Sequence, residues 1–199
     1  MTYLALGDSY TIGEAVPQNE SYPYQLTKAL NSNNFNVKPP TIIATTGWTT
    51  DDLIGAISRS NIHADKYDFV TLLIGVNDQY QHLSLDNYSI KFAQVLNSAI
   101  TFANGDTSRV FVLSIPDWGV TPFAAGQDSV IYPQIMAFNA VNEGISKAAG
   151  VSYINITGIS RMAAIDASLI AADGLHPSGK MYNMWVNLLA PVVGGKFKK

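Results

Sequence analysis

The sequence predicts an α/β protein, a three-layer α/β/α sandwich on a five-stranded parallel sheet, and two patterns carry that prediction. Five short runs, 2–6, 37–44, 69–74, 109–115 and 151–156, are rich in Val, Ile, Leu or Phe. Strands covered by helices on both faces require such near-continuous hydrophobicity. The stretches between the runs have helical period, so strands and helices alternate. Alternation of this kind gives parallel strands joined by right-handed crossovers.

The first run ends on Gly7-Asp8-Ser9-Tyr10-Thr11-Ile12-Gly13, a tight turn that holds a serine hydroxyl just past a buried strand. A helix follows near 22–33. Pro39-Pro40 interrupts the second run, so that strand begins nearer Thr41 or has an edge-like start. Another helix is expected near 49–60. The clearest helix is 86–104, with Asp86 as N-cap, a stripe of Phe92, Val95, Leu96, Ala99, Ile100 and Ala103, and Asn104-Gly105 as the stop. The next spans about 132–149, with Pro133 in its first turn, Phe138, Val141, Ile145 and Ala148 on its apolar face, and Gly150 beyond its end. The last is expected over 178–190, capped by Ser178 and ended at Pro191. No repeat, linker or low-complexity segment divides the chain, which reads as one domain over 1–199.

Composition narrows the function classes. Of the 199 residues, 47% are hydrophobic and only 14% charged, with a net charge of −3. The average charged fraction is about 25%, so Asn, Ser, Thr and Gln must carry the surface. An acidic chain offers no electrostatic case for nucleic acid, and the basic tail Lys196-Phe197-Lys198-Lys199 reads as a solvated end. The absence of cysteine excludes disulfides, thiolate metal sites and a cysteine nucleophile. No apolar stretch approaches the roughly 18 residues that span a bilayer. No signal peptide is visible at the start, which points to a cytoplasmic protein or a trimmed mature one. Oligomeric state has no signature in the sequence.

Ligands of open α/β sheets bind beyond the carboxyl ends of the strands. The clusters following the five runs are Gly7-Asp8-Ser9, Thr45-Thr46-Gly47-Trp48, Gly75-Val76-Asn77-Asp78, Pro116-Asp117-Trp118-Gly119 and, a little further on, Asp173-Gly174-Leu175-His176-Pro177. All fall on one edge of the expected sheet. A Gly-Asp-Ser triplet alone occurs by chance in about one chain in twenty of this size; the five clusters together carry the weight.

Ester hydrolysis through serine needs a hydroxyl, an imidazole base, a carboxylate to orient it and donors for the oxyanion. Ser9 offers the hydroxyl, His176 the base and Asp173, three residues earlier, the carboxylate. The backbone N–H groups of Ser9 and Gly47 and the side-chain amide of Asn77 are the candidate donors, Gly47 suiting a backbone approach closer than a side chain permits. Asp8 and Asp78 read as supports of their turns. No second histidine or carboxylate cluster has metal-ligand spacing around Asp173 and His176, so neither metal nor cofactor is expected. The Gly-x-Ser-x-Gly pentapeptide is absent because Thr11 replaces its last glycine.

These residues resemble the SGNH (GDSL-type) hydrolases over nearly the whole chain. The name-giving residues stand as Ser9, Gly47, Asn77 and His176, within GDSYTIG, TTGWTTDDL, GVND and DGLHPS. That family pairs its histidine with an aspartate three residues earlier, which corresponds to Asp173, and its usual leucine after the serine is Tyr10 here. The resemblance implies a flavodoxin-like sandwich and hydrolysis of an ester or thioester through an acyl-enzyme, without metal or cofactor.

Trp48, Tyr80, Trp118 and Phe123 are the large apolar residues nearest these loops and the candidate substrate-binding walls; 116–131 is the expected variable wall or lid. The stretch 79–84 suggests a polar alcohol group in a small or short-acyl ester such as an acetylated carbohydrate. His63 and His82 read as surface histidines, His82 with a second reading as a pocket residue. The alternatives are a lysophospholipase or thioesterase for longer chains, a flavodoxin-like binding protein holding a phosphate on residues 9–11, and a catalytically silent partner-binding member.

Overall fold

A computed structural model of the chain describes residues 1–62 and 65–198, so His63 and Lys199 lie outside the described residues. The elements run β1 (Tyr3–Gly7), α1 (Ser9–Ile12), α2 (Tyr22–Asn31), β2 (Thr41–Ala44), α3 (Thr50–Arg59), β3 (Phe69–Leu73), α4 (Val76–Tyr80), α5 (Leu85–Phe102), β4 (Val110–Leu113), α6 (Asp128–Ala148), β5 (Ser152–Ile154), α7 (Thr157–Arg161) and α8 (Gly179–Gly195). The five strands form one parallel sheet in the order β2-β1-β3-β4-β5. That is the flavodoxin-like order, with a switch point between β1 and β3. On the helical layers α2 packs on α8, while α5 packs on both α3 and α6. Every residue of β1, β3 and β4 is buried, which is why those runs are apolar without alternation.

Strand β2 starts at Thr41, after Pro39-Pro40, as the prolines suggested, and as an edge strand it is half-buried along its length. Three local expectations change. The N-cap of α5 is Ser84, whose hydroxyl accepts the Asn87 N–H at 3.2 Å. Asp86 instead sits in the first turn, where a carboxylate favours the positive helix end. Helix α6 starts at Asp128, a turn earlier than the proline suggested, so Pro133 lies inside it and removes one helical hydrogen bond. Helix α8 runs through Pro191 to Gly195. Its last turns bury Val193 completely and bring Gly194 against Phe35, and that packing outweighs the bond lost at the proline.

Register sets up the site. Gly7 at the end of β1 is level with Leu73 of β3 and Ala44 of β2. The chain therefore leaves three adjacent strands at one height, and residues 9, 47 and 77 emerge on the same edge.

Candidate active site

Ser9 opens the single turn α1, and Asp8 is its N-cap, accepting the Tyr10 N–H on Oδ1 at 3.0 Å. The turn folds back tightly enough that a Cβ on Gly7 would run into Thr11 Oγ1 and the Leu73 carbonyl, so only glycine fits there. Asp8 is fully buried, and its second oxygen, Oδ2, has no partner among the described residues. Burial pushes its pKa up to about 8, with the nearby Asp78 adding and the Tyr10 N–H opposing.

The loop before α8 brings the imidazole to this turn. An isolated bridge between Ile170 and Pro177 and the Ala171 N–H on the His176 carbonyl close the loop. His176 Nε2 lies 3.0 Å from Ser9 Oγ, and Nδ1 lies 2.6 Å from Asp173 Oδ2. Asp173 Oδ1 accepts the backbone N–H groups of Leu175 and His176, both at 3.0 Å. Burial alone would raise the Asp173 carboxyl; the imidazole and the two N–H groups outweigh it and hold the pKa below the ordinary value. A carboxylate beside Nδ1 keeps the proton on that nitrogen and leaves Nε2 as the acceptor for the serine proton. Ser9 and His176 are both buried, and Tyr10 packs its ring 5.3 Å from the imidazole.

Asn77 sits in α4 after β3 and donates from Nδ2 to the Trp48 carbonyl at 2.9 Å. The amide has two N–H bonds, so one remains for the space beside Ser9. Its neighbour Asp78 is buried and accepts the Thr50 N–H at 3.0 Å and the Thr50 hydroxyl at 2.6 Å, tying α4 to the start of α3. Burial raises the Asp78 carboxyl against these bonds. Gly47 is exposed, and a Cβ there would meet nothing within 4 Å. The expected reason for glycine therefore changes: its φ of +83° demands the residue, not a crowded approach.

A cavity of about 150 Å³ opens on Ser9, Asn77 and His176 and is walled by Tyr10, Tyr80, Trp118 and Phe123. Tyr80, Trp118 and Phe123 were expected walls; Tyr10, Val76 and Leu175 were not, although each adjoins a motif residue in sequence. Trp48 does not line this cavity. It is half-buried against the core because the loop turns at Gly47, and its carbonyl instead holds the Asn77 amide. His82 is exposed, with a left-handed backbone at φ 58°.

The segment after β4, expected as a wall or lid, is pinned where it meets the cavity. Trp118 Nε1 donates to Gln79 Oε1 at 2.9 Å, and the Trp118 carbonyl accepts the Thr121 hydroxyl at 2.7 Å. The buried Asp117 accepts the Gly119 N–H at 2.8 Å and pairs with Arg161, which also reaches Asp128 at 2.8 and 3.2 Å. Gln79 opens the stretch 79–84 that the sequence marked only as a polar region, and its role in holding Trp118 had no signature of its own.

An imidazole between a serine hydroxyl and a carboxylate, at the mouth of a small cavity, can activate that hydroxyl toward a carbonyl. The sequence matches the model of the GDSL-like Lipase/Acylhydrolase family over residues 5–184. The chain belongs to that family. As a GDSL-like acylhydrolase it is an ester-bond hydrolase. No match was found among curated protein sequences. The fold is shared with the psychrotrophic esterase EstA from Pseudoalteromonas sp. (14% identity, TM-score 0.75, 100% of this chain and 99% of that one). An acetylxylan esterase from Geobacillus stearothermophilus is similar at 16% identity and TM-score 0.75, over 97% and 94% of the two chains. TesA matches at 16% and 0.75, over 97% and 98%. Among the described residues of this acylhydrolase, no group of three or more His, Asp or Glu could hold a metal, and no helix is long and apolar enough to cross a membrane.

Proposed function

We propose that this acylhydrolase cleaves short-acyl carboxylic esters, acetylated carbohydrates among them, through an acyl-enzyme on Ser9. The observation that carries the reading is the Ser9–His176–Asp173 chain, with links of 3.0 and 2.6 Å. His176 Nε2 takes the proton as Ser9 Oγ bonds to the carbonyl carbon, and Asp173 stabilises the imidazolium. The tetrahedral oxyanion receives the Ser9 N–H, the Gly47 N–H and the free N–H of Asn77. Collapse breaks the ester C–O bond, and the leaving alcohol takes the proton back from Nε2. Water then repeats the cycle on the acyl-enzyme and releases the acid.

The short-acyl part rests on the size of the cavity, about 150 Å³ and walled by aromatic rings. The fold neighbour from Geobacillus, described as an acetylxylan esterase, supports an acetyl ester without deciding it. The test is a series of nitrophenyl esters from acetyl to palmitoyl, with Ser9→Ala as blank and a fluorophosphonate to label the folded protein. Acetyl or butyryl should be hydrolysed fastest, with one label per chain on Ser9. A maximum at long chains would favour the lysophospholipase or thioesterase reading, and an unlabelled Ser9 would remove the acyl-enzyme.

A further inference from the structure

A second hollow lies on the far side of the rings that wall the Ser9 cavity. This groove of about 460 Å³ shares Tyr80, Trp118 and Phe123 with the smaller one, so the two adjoin at those rings. Its floor and rim add the side chains of Gln79, His82, Gln127 and Gln134, with Val130 and Ile131 between them. Among the described residues that line it, none is Asp, Glu, Lys or Arg. Tyr80 and Phe123 each leave 51% of their surface exposed here, a large apolar exposure for one small region.

From these observations we infer that the groove is a carbohydrate subsite, which holds the sugar units next to the unit that carries the ester. The inference rests on the esterase reading of Ser9 and extends it to the alcohol side. A pyranose ring has a C–H face that suits an aromatic ring and a rim of hydroxyls that both donate and accept. Amides and an imidazole match such a rim, because each also carries donor and acceptor. An alkyl chain could lie on Val130 and the rings, but over Gln127 and Gln134 it would strip water from their amides without replacing its hydrogen bonds. An anionic headgroup would find no cation on the groove wall.

The groove is also organised before any ligand arrives. Gln79, itself buried, accepts from Trp118 Nε1 at 2.9 Å and donates to Gln134 Oε1 at 2.7 Å. The aromatic platform and the amide rim are thus fixed to each other, and the outer N–H of Gln134 remains for a ligand. Ring contacts of 5.5 Å between Tyr80 and Trp118 and 6.0 Å between Trp118 and Phe123 make the platform continuous. The distribution of volume then follows the chemistry: the small cavity takes the acyl group and the larger groove takes the ring.

Binding and turnover test this separately. Folded Ser9→Ala protein is titrated with unacetylated xylotriose and with cellotriose, following tryptophan fluorescence and the amide NMR signals of residues 79–82 and 127–134. Saturable shifts with either sugar are expected, abolished in Ser9→Ala carrying Gln127→Ala and Gln134→Ala as well. In parallel, kcat/KM for an acetylated xylo-oligosaccharide is divided by that for nitrophenyl acetate. The ratio should fall at least tenfold in Gln127→Ala/Gln134→Ala, through KM. No shift with either sugar, or a ratio unchanged in the double variant, would overturn the subsite while leaving the esterase reading intact. Saturation by a neutral alkyl detergent in place of the sugars would overturn it as well. A wild-type protein inert toward both esters would instead count against the esterase reading, and the titration alone would then decide whether the groove binds sugar.

Discussion

Nε2 of His176 stands 3.0 Å from Oγ of Ser9 across 167 residues of chain. The two meet because the β1 turn and the loop before α8 emerge on the same sheet edge, and because Asp173 fixes the ring from its other nitrogen.

Asp173→Asn keeps the shape beside Nδ1 but loses the charge that holds the tautomer. We expect kcat on nitrophenyl acetate to fall about ten-thousand-fold with little change in KM, by analogy with the same substitution in serine proteases. Stability should respond on the acid side. A carboxyl held below its ordinary value stabilises the fold above the unfolded pKa, and that stabilisation is lost as pH falls through the folded value. The urea midpoints of wild type and Asp173→Asn should therefore converge as pH drops below about 4. Parallel midpoints down to pH 3 would contradict the assignment.

Asn77→Ala removes one of the three proposed oxyanion donors and releases the Trp48 carbonyl. The expected cost is about 2.7–4 kcal/mol of transition-state stabilisation, a hundred- to thousand-fold drop in kcat. Initial rates with nitrophenyl acetate measure it, and a variant within threefold of wild type would take Asn77 out of the oxyanion site.

Asp8→Asn tests the buried carboxyl under the nucleophile. With a folded pKa of about 8 against 3.8 for the free group, native protein keeps a proton there that the unfolded chain has released. The stabilisation is complete below pH 4 and is lost as pH rises toward 8. Asparagine keeps the Oδ1 acceptor for the Tyr10 N–H and never ionises. The wild-type urea midpoint should fall between pH 5 and 8 and that of Asp8→Asn should fall less; identical slopes would show that Asp8 is not protonated in the fold.

Arg161→Met leaves Asp117, almost fully buried, without its cation and frees Asp128 at the start of α6. Removing one partner of a fully buried pair costs about 3–5 kcal/mol. The loss here should be smaller, because the Arg161 side chain is 32% exposed. With Asp117 loosened, the flanking Trp118 wall should lose definition, seen as a raised KM for nitrophenyl butyrate together with a lowered urea midpoint. An unchanged KM would mean that Gln79 and Thr121 hold Trp118 without the ion pair.

Much of the architecture was legible because burial on both faces leaves a direct trace in composition. The runs at 2–6, 69–74 and 109–115 needed no partner to be read as strands; β3 and β4 lie within theirs, and β1 runs one residue past its own, to Gly7. Element ends were less legible. Pro133 and Pro191 read as boundaries, and both lie inside helices, because packing at Val193 and the earlier start at Asp128 are not local properties. Trp48 was a reasonable wall from its neighbours, yet a left-handed turn at Gly47 sends its ring to the core side and its carbonyl to Asn77.

By itself, then, the sequence determined which residues carry chemical potential: a serine after a strand, an aspartate and a histidine three apart, and an amide after another strand. Strand hydrophobicity and turn chemistry are local, so they survive in one dimension. Only the tertiary structure decided that β1 and β3 lie side by side in register, that Asp78 clamps α4 to α3, and that Gln79 locks Trp118 between two hollows. Those relations join residues 28 to 66 positions apart, and no spacing rule encodes a contact whose partner is chosen by packing.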